Sequence, residues 1–79
     1  MTLNCAIIDD EPLAADLLAG YAKKTPFLNL VGVYNSAIDA MRTLRTSPVD
    51  LLFLDIQMPE LSGLEFATIL PEDVMIVFT

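Results

Sequence analysis

Four short apolar runs punctuate this chain of 79 residues: Leu3 to Ile8, Leu28 to Val33, Leu51 to Leu54 and Val74 to Phe78. They are continuous rather than alternating, the pattern of strands in a parallel sheet covered on both sides. Helical patterns fill the intervals. The first places Ala14, Leu17, Leu18 and Tyr21 at i, i+3, i+4 and i+7, then ends at Lys23 and Lys24 with Pro26 beyond, a cationic last turn followed by a stop. The second opens at Ser36 with Asp39 three residues on, a capping-box variant, and sets Ala37, Ala40, Met41 and Leu44 on one face. The third repeats the device with Ser62 and Glu65 and closes at Pro71. The order β-α-β-α-β-α-β has connections long enough for the crossovers that parallel strands require. A doubly wound α/β sheet is the expected architecture.

Two of the strands end in acid. Cys5-Ala6-Ile7-Ile8 runs into Asp9-Asp10-Glu11-Pro12, and Leu51-Leu52-Phe53-Leu54 runs into Asp55-Ile56-Gln57-Met58-Pro59. Ligands of open α/β sheets bind at the carboxyl ends of the strands. If the first and third strands are neighbours, about 4.8 Å apart, Asp9, Asp10 and Asp55 converge. Two unit charges 4 Å apart repel by roughly 4 kcal/mol at an effective dielectric near 20. A bound cation, a nearby base or a protonated carboxyl relieves that repulsion, and a divalent metal is the simplest of the three. Mg²⁺ takes one or two carboxylates and leaves positions for phosphate oxygens. A carboxylate beside it also acts as a nucleophile toward phosphorus. Asp55 stands alone at its strand end and is the candidate nucleophile, with Asp9 and Asp10 as the metal-side acids.

Plainer roles compete for the same residues. Asp10-Glu11-Pro12 also reads as an acidic helix cap with an early proline. Asp55 before Met58-Pro59 also reads as turn chemistry. Ser62 reads as a helix cap, since no base is at hand to activate it. Both acidic motifs at carboxyl strand ends, in the first and third strands of one series, weigh against coincidence.

Composition removes several classes of function. There is no histidine, so Ser-His-Asp and Cys-His nucleophile systems are absent, and carboxylates, carbonyls and water are left as metal ligands. A net charge of −7, from eleven acids and four bases, argues against direct contact with nucleic acid or an anionic membrane. The single Cys5 lies inside an apolar run and reads as a small core residue. No basic stretch precedes a long apolar region at the N-terminus, so a cytoplasmic location is expected. No apolar run approaches the ~18 residues of a membrane span.

The runs Ile7-Ile8-Asp9-Asp10-Glu11-Pro12 and Leu52-Phe53-Leu54-Asp55-Ile56-Gln57-Met58-Pro59, with Ser62-Gly63 following, resemble the receiver domain of two-component response regulators. The resemblance covers the whole chain and implies a flavodoxin-like sheet of strand order 2-1-3-4-5. It implies that Asp55 is the phosphoacceptor, taking a phosphoryl group from the phosphohistidine of a sensor histidine kinase. It implies Mg²⁺ held by Asp10, Asp55 and the main-chain carbonyl of Gln57, with Asp9 acting through water. Thr79 corresponds to a possible switch residue at the end of the fourth strand. Glu11-Pro12-Leu13-Ala14 and Asp55-Ile56-Gln57-Met58-Pro59 are similar to receivers that precede LytTR-type DNA-binding domains, so the implied partners are a sensor kinase and a covalently linked output domain.

Against the family pattern, residues 1–79 read as a partial receiver domain, lacking a fifth strand, its lysine and two helices. Weak or absent phosphorylation of this 79-residue piece alone is therefore expected. Two other functions are carried as rivals. One is a Mg²⁺-dependent phosphohydrolase with an aspartate nucleophile, although Gln57 stands where such enzymes usually place a second acid. The other is an interaction fragment that persists by self-association through its fourth strand.

Overall fold

The computed structural model describes residues 2–45, 48–58, 63–68, 70–71 and 73–79. Its elements are β1 (Leu3–Ile8), α1 (Pro12–Lys23), β2 (Leu28–Tyr34), α2 (Ala37–Leu44), β3 (Leu51–Leu54), α3 (Gly63–Thr68) and β4 (Met75–Phe78). The four strands form one parallel sheet in the order β2-β1-β3-β4. β1 and β3 are therefore adjacent, the arrangement on which convergence of the acids depends. The second strand runs one residue further than expected, to Tyr34, and the fourth begins one residue later, at Met75.

Apolar side chains pack on both faces of the sheet. On one face Ala6 and Ile8 of β1 and Leu52 and Leu54 of β3 join Ala37 and Ala40 of α2, Val49 and Phe66 of α3. On the other, Ile7 packs with Ala15 and Ala19 of α1. Cys5 is completely buried in β1, as a small core residue, and burial pushes its thiol pKa up. α2 presents the expected face, with Ala37 and Ala40 buried and Met41 and Leu44 packed against the same core.

Burial on both sides holds for the central strands and fails at the edges. β2 alternates half-buried and exposed residues, and Met75, Val77 and Phe78 of β4 are all exposed. The reason is topological, since strand order puts β2 and β4 on the outside. β2 also carries an irregularity that continuous hydrophobicity does not reveal. Cys5 pairs with Leu30 but Ala6 pairs with Gly32, so Val31 is an extra residue in the register. The bulge swaps which side chains face which layer. Before it, Leu30 packs with Ile7 on the α1 side, and after it Tyr34 packs on the α2 side with Ile8.

α1 also uses a different face from the one expected. Leu17 and Tyr21 are 60% and 62% exposed, and the buried residues are Ala15, Ala19 and Ala22, with Leu18 partly covered. Positions 15, 18, 19 and 22 have the same i, i+3, i+4, i+7 spacing as 14, 17, 18 and 21, displaced by one residue. Alanines let the helix lie close against Ile7, and larger side chains at those positions would hold it off the sheet.

Candidate functional site

The paired row Tyr34, Ile8, Leu54 and Phe78 closes the sheet at its carboxyl edge. The residue after each member forms a second rank, Asn35, Asp9, Asp55 and Thr79. Three backbone hydrogen bonds tie that rank to the row behind it. Asp9 N–H donates to the Tyr34 carbonyl at 3.0 Å, Asp55 N–H to the Ile8 carbonyl at 2.9 Å, and Thr79 N–H to the Leu54 carbonyl at 2.9 Å. The ladder thus carries on past the strands and brings two acids from distant parts of the chain to the same level.

Each of these acids is locked by its own chain in the same way. Oδ1 of Asp9 accepts from Glu11 N–H at 2.9 Å, and Oδ1 of Asp55 accepts from Gln57 N–H at 3.1 Å. This two-residue turn is the habit of aspartate at strand exits. It leaves the second carboxylate oxygen of each aspartate for other partners. The turn role read for Asp55 is therefore real, and it leaves that side chain able to offer an oxygen to a ligand as well. Asp10 is different, because the cap of α1 is Glu11. The Glu11 side chain accepts from Leu13 N–H at 3.4 Å, its carbonyl accepts from Ala15 N–H at 3.0 Å, and Pro12 starts the helix. Relieved of capping, Asp10 is exposed and turned to the site.

Carboxylate oxygens of Asp9, Asp10 and Asp55 all lie within 4.8 Å of one another, with Asp9 buried, Asp55 half-buried and Asp10 exposed. The chain's own cations do not balance them. Lys23 and Lys24 end α1, and Arg42 and Arg45 end α2, at the termini of helices that run back from the acidic edge. Among the described residues no ion pair joins any of these bases to the three aspartates. An all-oxygen donor set, without a counter-charge among the described residues, fits a hard divalent cation such as Mg²⁺. An apolar groove of about 570 Å³ between α2 and α3, bordered by Met41, Leu44 and Phe66, includes none of the three aspartates.

The expected site residues divide clearly. Asp9, Asp10 and Asp55 come together, Gln57 reaches the site through its N–H, and Thr79 lies in the same rank one strand over. Pro59 and Ser62 lie outside the described residues. One neighbour was missed. Asn35 sits directly after β2 and donates Nδ2–H to the Asp9 carbonyl at 3.3 Å. Its only sequence signal is an amide residue between a strand end and the Ser36 cap, which reads as ordinary loop. Ser36 does cap α2, accepting from Asp39 N–H at 3.2 Å.

The sequence model described as the response regulator receiver domain matches residues 5–78. The chain belongs to the response regulator receiver family. It is 37% identical over 73 residues to an uncharacterised response regulatory protein of Shewanella oneidensis, covering 92% of this chain and 31% of that protein. It is 39% identical over 68 residues to the transcriptional regulatory protein BtsR of Escherichia coli, covering 86% and 28%. The chain thus spans less than a third of the length of these relatives. Among solved structures, the response regulatory domain of mrkE from Klebsiella pneumoniae superposes with a TM-score of 0.83 at 29% identity, over 95% of this chain and 64% of that one. The response regulator domain of Thermotoga maritima CheB, at 19% identity, shares the fold with a TM-score of 0.87, over 99% and 60%. The flavodoxin-like receiver fold and the order 2-1-3-4 of its first strands are those that the resemblance to receiver domains implies.

Proposed function

We propose that this receiver accepts a phosphoryl group on Asp55 from the phosphohistidine of a sensor histidine kinase. The observation that carries the reading is the convergence of Asp9, Asp10 and Asp55 at one end of the β1–β3 pair. In the transfer, a carboxylate oxygen of Asp55 bonds to phosphorus as the phosphorus–nitrogen bond breaks, and the imidazole leaves with that electron pair. Gln57 N–H holds Oδ1 of Asp55 and so fixes the orientation of the attacking carboxylate. Asp10, Asp55 and the Gln57 main-chain carbonyl would hold Mg²⁺, with Asp9 contributing through water. The metal would neutralise charge on the phosphoryl oxygens. Asp55 would stay modified until hydrolysis, so the domain acts as an acceptor rather than a turnover enzyme.

Residues 1–79 would be the front part of the domain, to be completed by a fifth strand and two helices. The α1-side surface of the β3–β4 pair supports this, since Met75 and Val77 stand exposed there. So does the greater length of the solved relatives. Thr79, in the Asp55 rank, would serve as the switch residue that senses the phosphoryl group. The linked output would be a DNA-binding domain of LytTR type, acting in the cytoplasm. Support comes from the Glu11 to Ala14 and Asp55 to Pro59 runs and from the regulatory name of one relative. No helix among the described residues is long and apolar enough to cross a membrane.

The test is treatment of the protein that carries this chain with a small acyl phosphate and Mg²⁺, followed by intact mass measurement. One added phosphoryl group is expected, lost in Asp55→Ala. Equal labelling of Asp55→Ala would remove the assignment, and sustained release of phosphate from small esters would instead favour a phosphohydrolase. The exposed outer strand β4 favours one further property, self-association of the 79-residue chain, which a monomeric sedimentation profile would refute.

A further inference from the structure

We infer that Asn35 is a positioning residue for the divalent cation, setting how well the acidic cluster suits Mg²⁺ over a larger ion. The inference rests on the metal-site reading above and goes beyond its ligands. Asp9 is fixed at three points. Its N–H donates to the Tyr34 carbonyl at 3.0 Å, its Oδ1 accepts from Glu11 N–H at 2.9 Å, and its carbonyl accepts from Asn35 Nδ2–H at 3.3 Å. The orientation of the Asn35 amide is settled by chemistry, since a carbonyl accepts and only Nδ2 donates. That last bond grips the peptide joining Asp9 to Asp10, so it governs where the exposed Asp10 carboxylate stands. Among the described residues Asp10 has no hydrogen bond of its own. Asn35 thus holds the peptide before Asp10, as the Glu11 N–H bond holds the peptide after it, while the Asp10 carboxylate itself stands unbonded beside Asp55 among the described residues.

The two common oxygen-seeking cations respond differently to a loosened site. Mg²⁺ demands near-ideal octahedral geometry, whereas Ca²⁺ accepts irregular shells of 6–8 oxygens. Loss of a positioning bond should consequently penalise Mg²⁺ and spare Ca²⁺. A bystander asparagine would leave both affinities unchanged, and a purely structural one would lower both together.

Calorimetric titration of the protein with Mg²⁺ and with Ca²⁺, for wild type, Asn35→Ala and Asn35→Ser, decides among these. The expected result is Mg²⁺ binding weakened about threefold to tenfold, the size of one hydrogen bond, with Ca²⁺ binding within about twofold of wild type. Asn35→Ser, whose hydroxyl is too short to reach, should behave like Asn35→Ala and covers the case in which alanine prevents folding. Unchanged Mg²⁺ affinity, or equal loss for both ions, overturns the inference. Failure of the wild type to bind either ion would sink the metal-site reading itself, and the role of Asn35 with it.

Discussion

The Asp55 N–H lies 2.9 Å from the Ile8 carbonyl oxygen, one step past the last paired residues of β1 and β3. That bond puts Asp55 level with Asp9, which follows Ile8 in the chain and makes the equivalent bond to Tyr34. Backbone pairing of apolar strands thus determines the spacing of the acids. The electrostatic strain is a by-product of the same pairing, because the sheet brings carboxylates together whether or not a cation is present.

That strain predicts opposite effects of one substitution with and without metal. Asp10 is exposed and free of hydrogen bonds among the described residues, so Asp10→Asn removes a repelling charge without orphaning a partner. In chelator the variant should melt above the wild type. In millimolar Mg²⁺ the wild type should gain more, because a ligand that binds only the folded state stabilises it by an amount that grows with the logarithm of its affinity. Paired melting curves with and without Mg²⁺ check this, and a variant that melts lower in chelator would show that Asp10 is not under strain.

The first helix illustrates what a sequence conceals. Its residues satisfy one amphipathic spacing twice, at 14, 17, 18 and 21 and again at 15, 18, 19 and 22, and hydrophobicity favours the set with the larger side chains. Packing favours the other, because a helix crossing Ile7 closely needs alanines beneath it. The strands and the acidic mouths were legible for the opposite reason. Their signals are local, namely a solid apolar run ending in a carboxylate and a turn. The bulge at Val31 and the half-exposed face of β2 depend on which strand lies beside which, and no local pattern records that.

The choice of face predicts an inversion of the usual mutational hierarchy on α1. Ala15 is 1% exposed, so Ala15→Leu should overpack the interface and cost about 1–3 kcal/mol. Leu17, at 60% exposure, should tolerate alanine within about 0.5 kcal/mol. Urea unfolding of both variants measures the difference. A larger loss from Leu17→Ala than from Ala15→Leu would mean that the helix is rotated from the position described.

Gly32 predicts a sign reversal. A Cβ at this position would run into the phenol of Tyr34, which lies back along β2 over the glycine. Gly32→Ala should gain roughly 0.5–1 kcal/mol from a less flexible backbone. Displacing Tyr34 from its packing against the α2-side core should cost about 1–3 kcal/mol, so the net effect is destabilising. In a Tyr34→Ala background the obstruction is gone and the same change should stabilise. A double-mutant cycle in which Gly32→Ala has the same sign in both backgrounds would refute the contact.

Cys5 makes stability depend on alkaline pH, with a definite sign. Burial in β1 raises its thiol pKa above the ordinary value of 9.0, so the fold favours the neutral form. The unfolded chain ionises first as pH rises, binds fewer protons than the folded one, and gains population. The thiol's contribution is thus complete below pH 9.0 and is lost as pH climbs from there through the folded-state value. Lysines and tyrosines titrate in the same range, so the informative quantity is the wild type minus Cys5→Ala difference in unfolding free energy. That difference should be constant between neutral pH and pH 8 and should shrink toward pH 10.5. A difference that stays flat over the whole range would show that the Cys5 thiol ionises as easily in the fold as outside it.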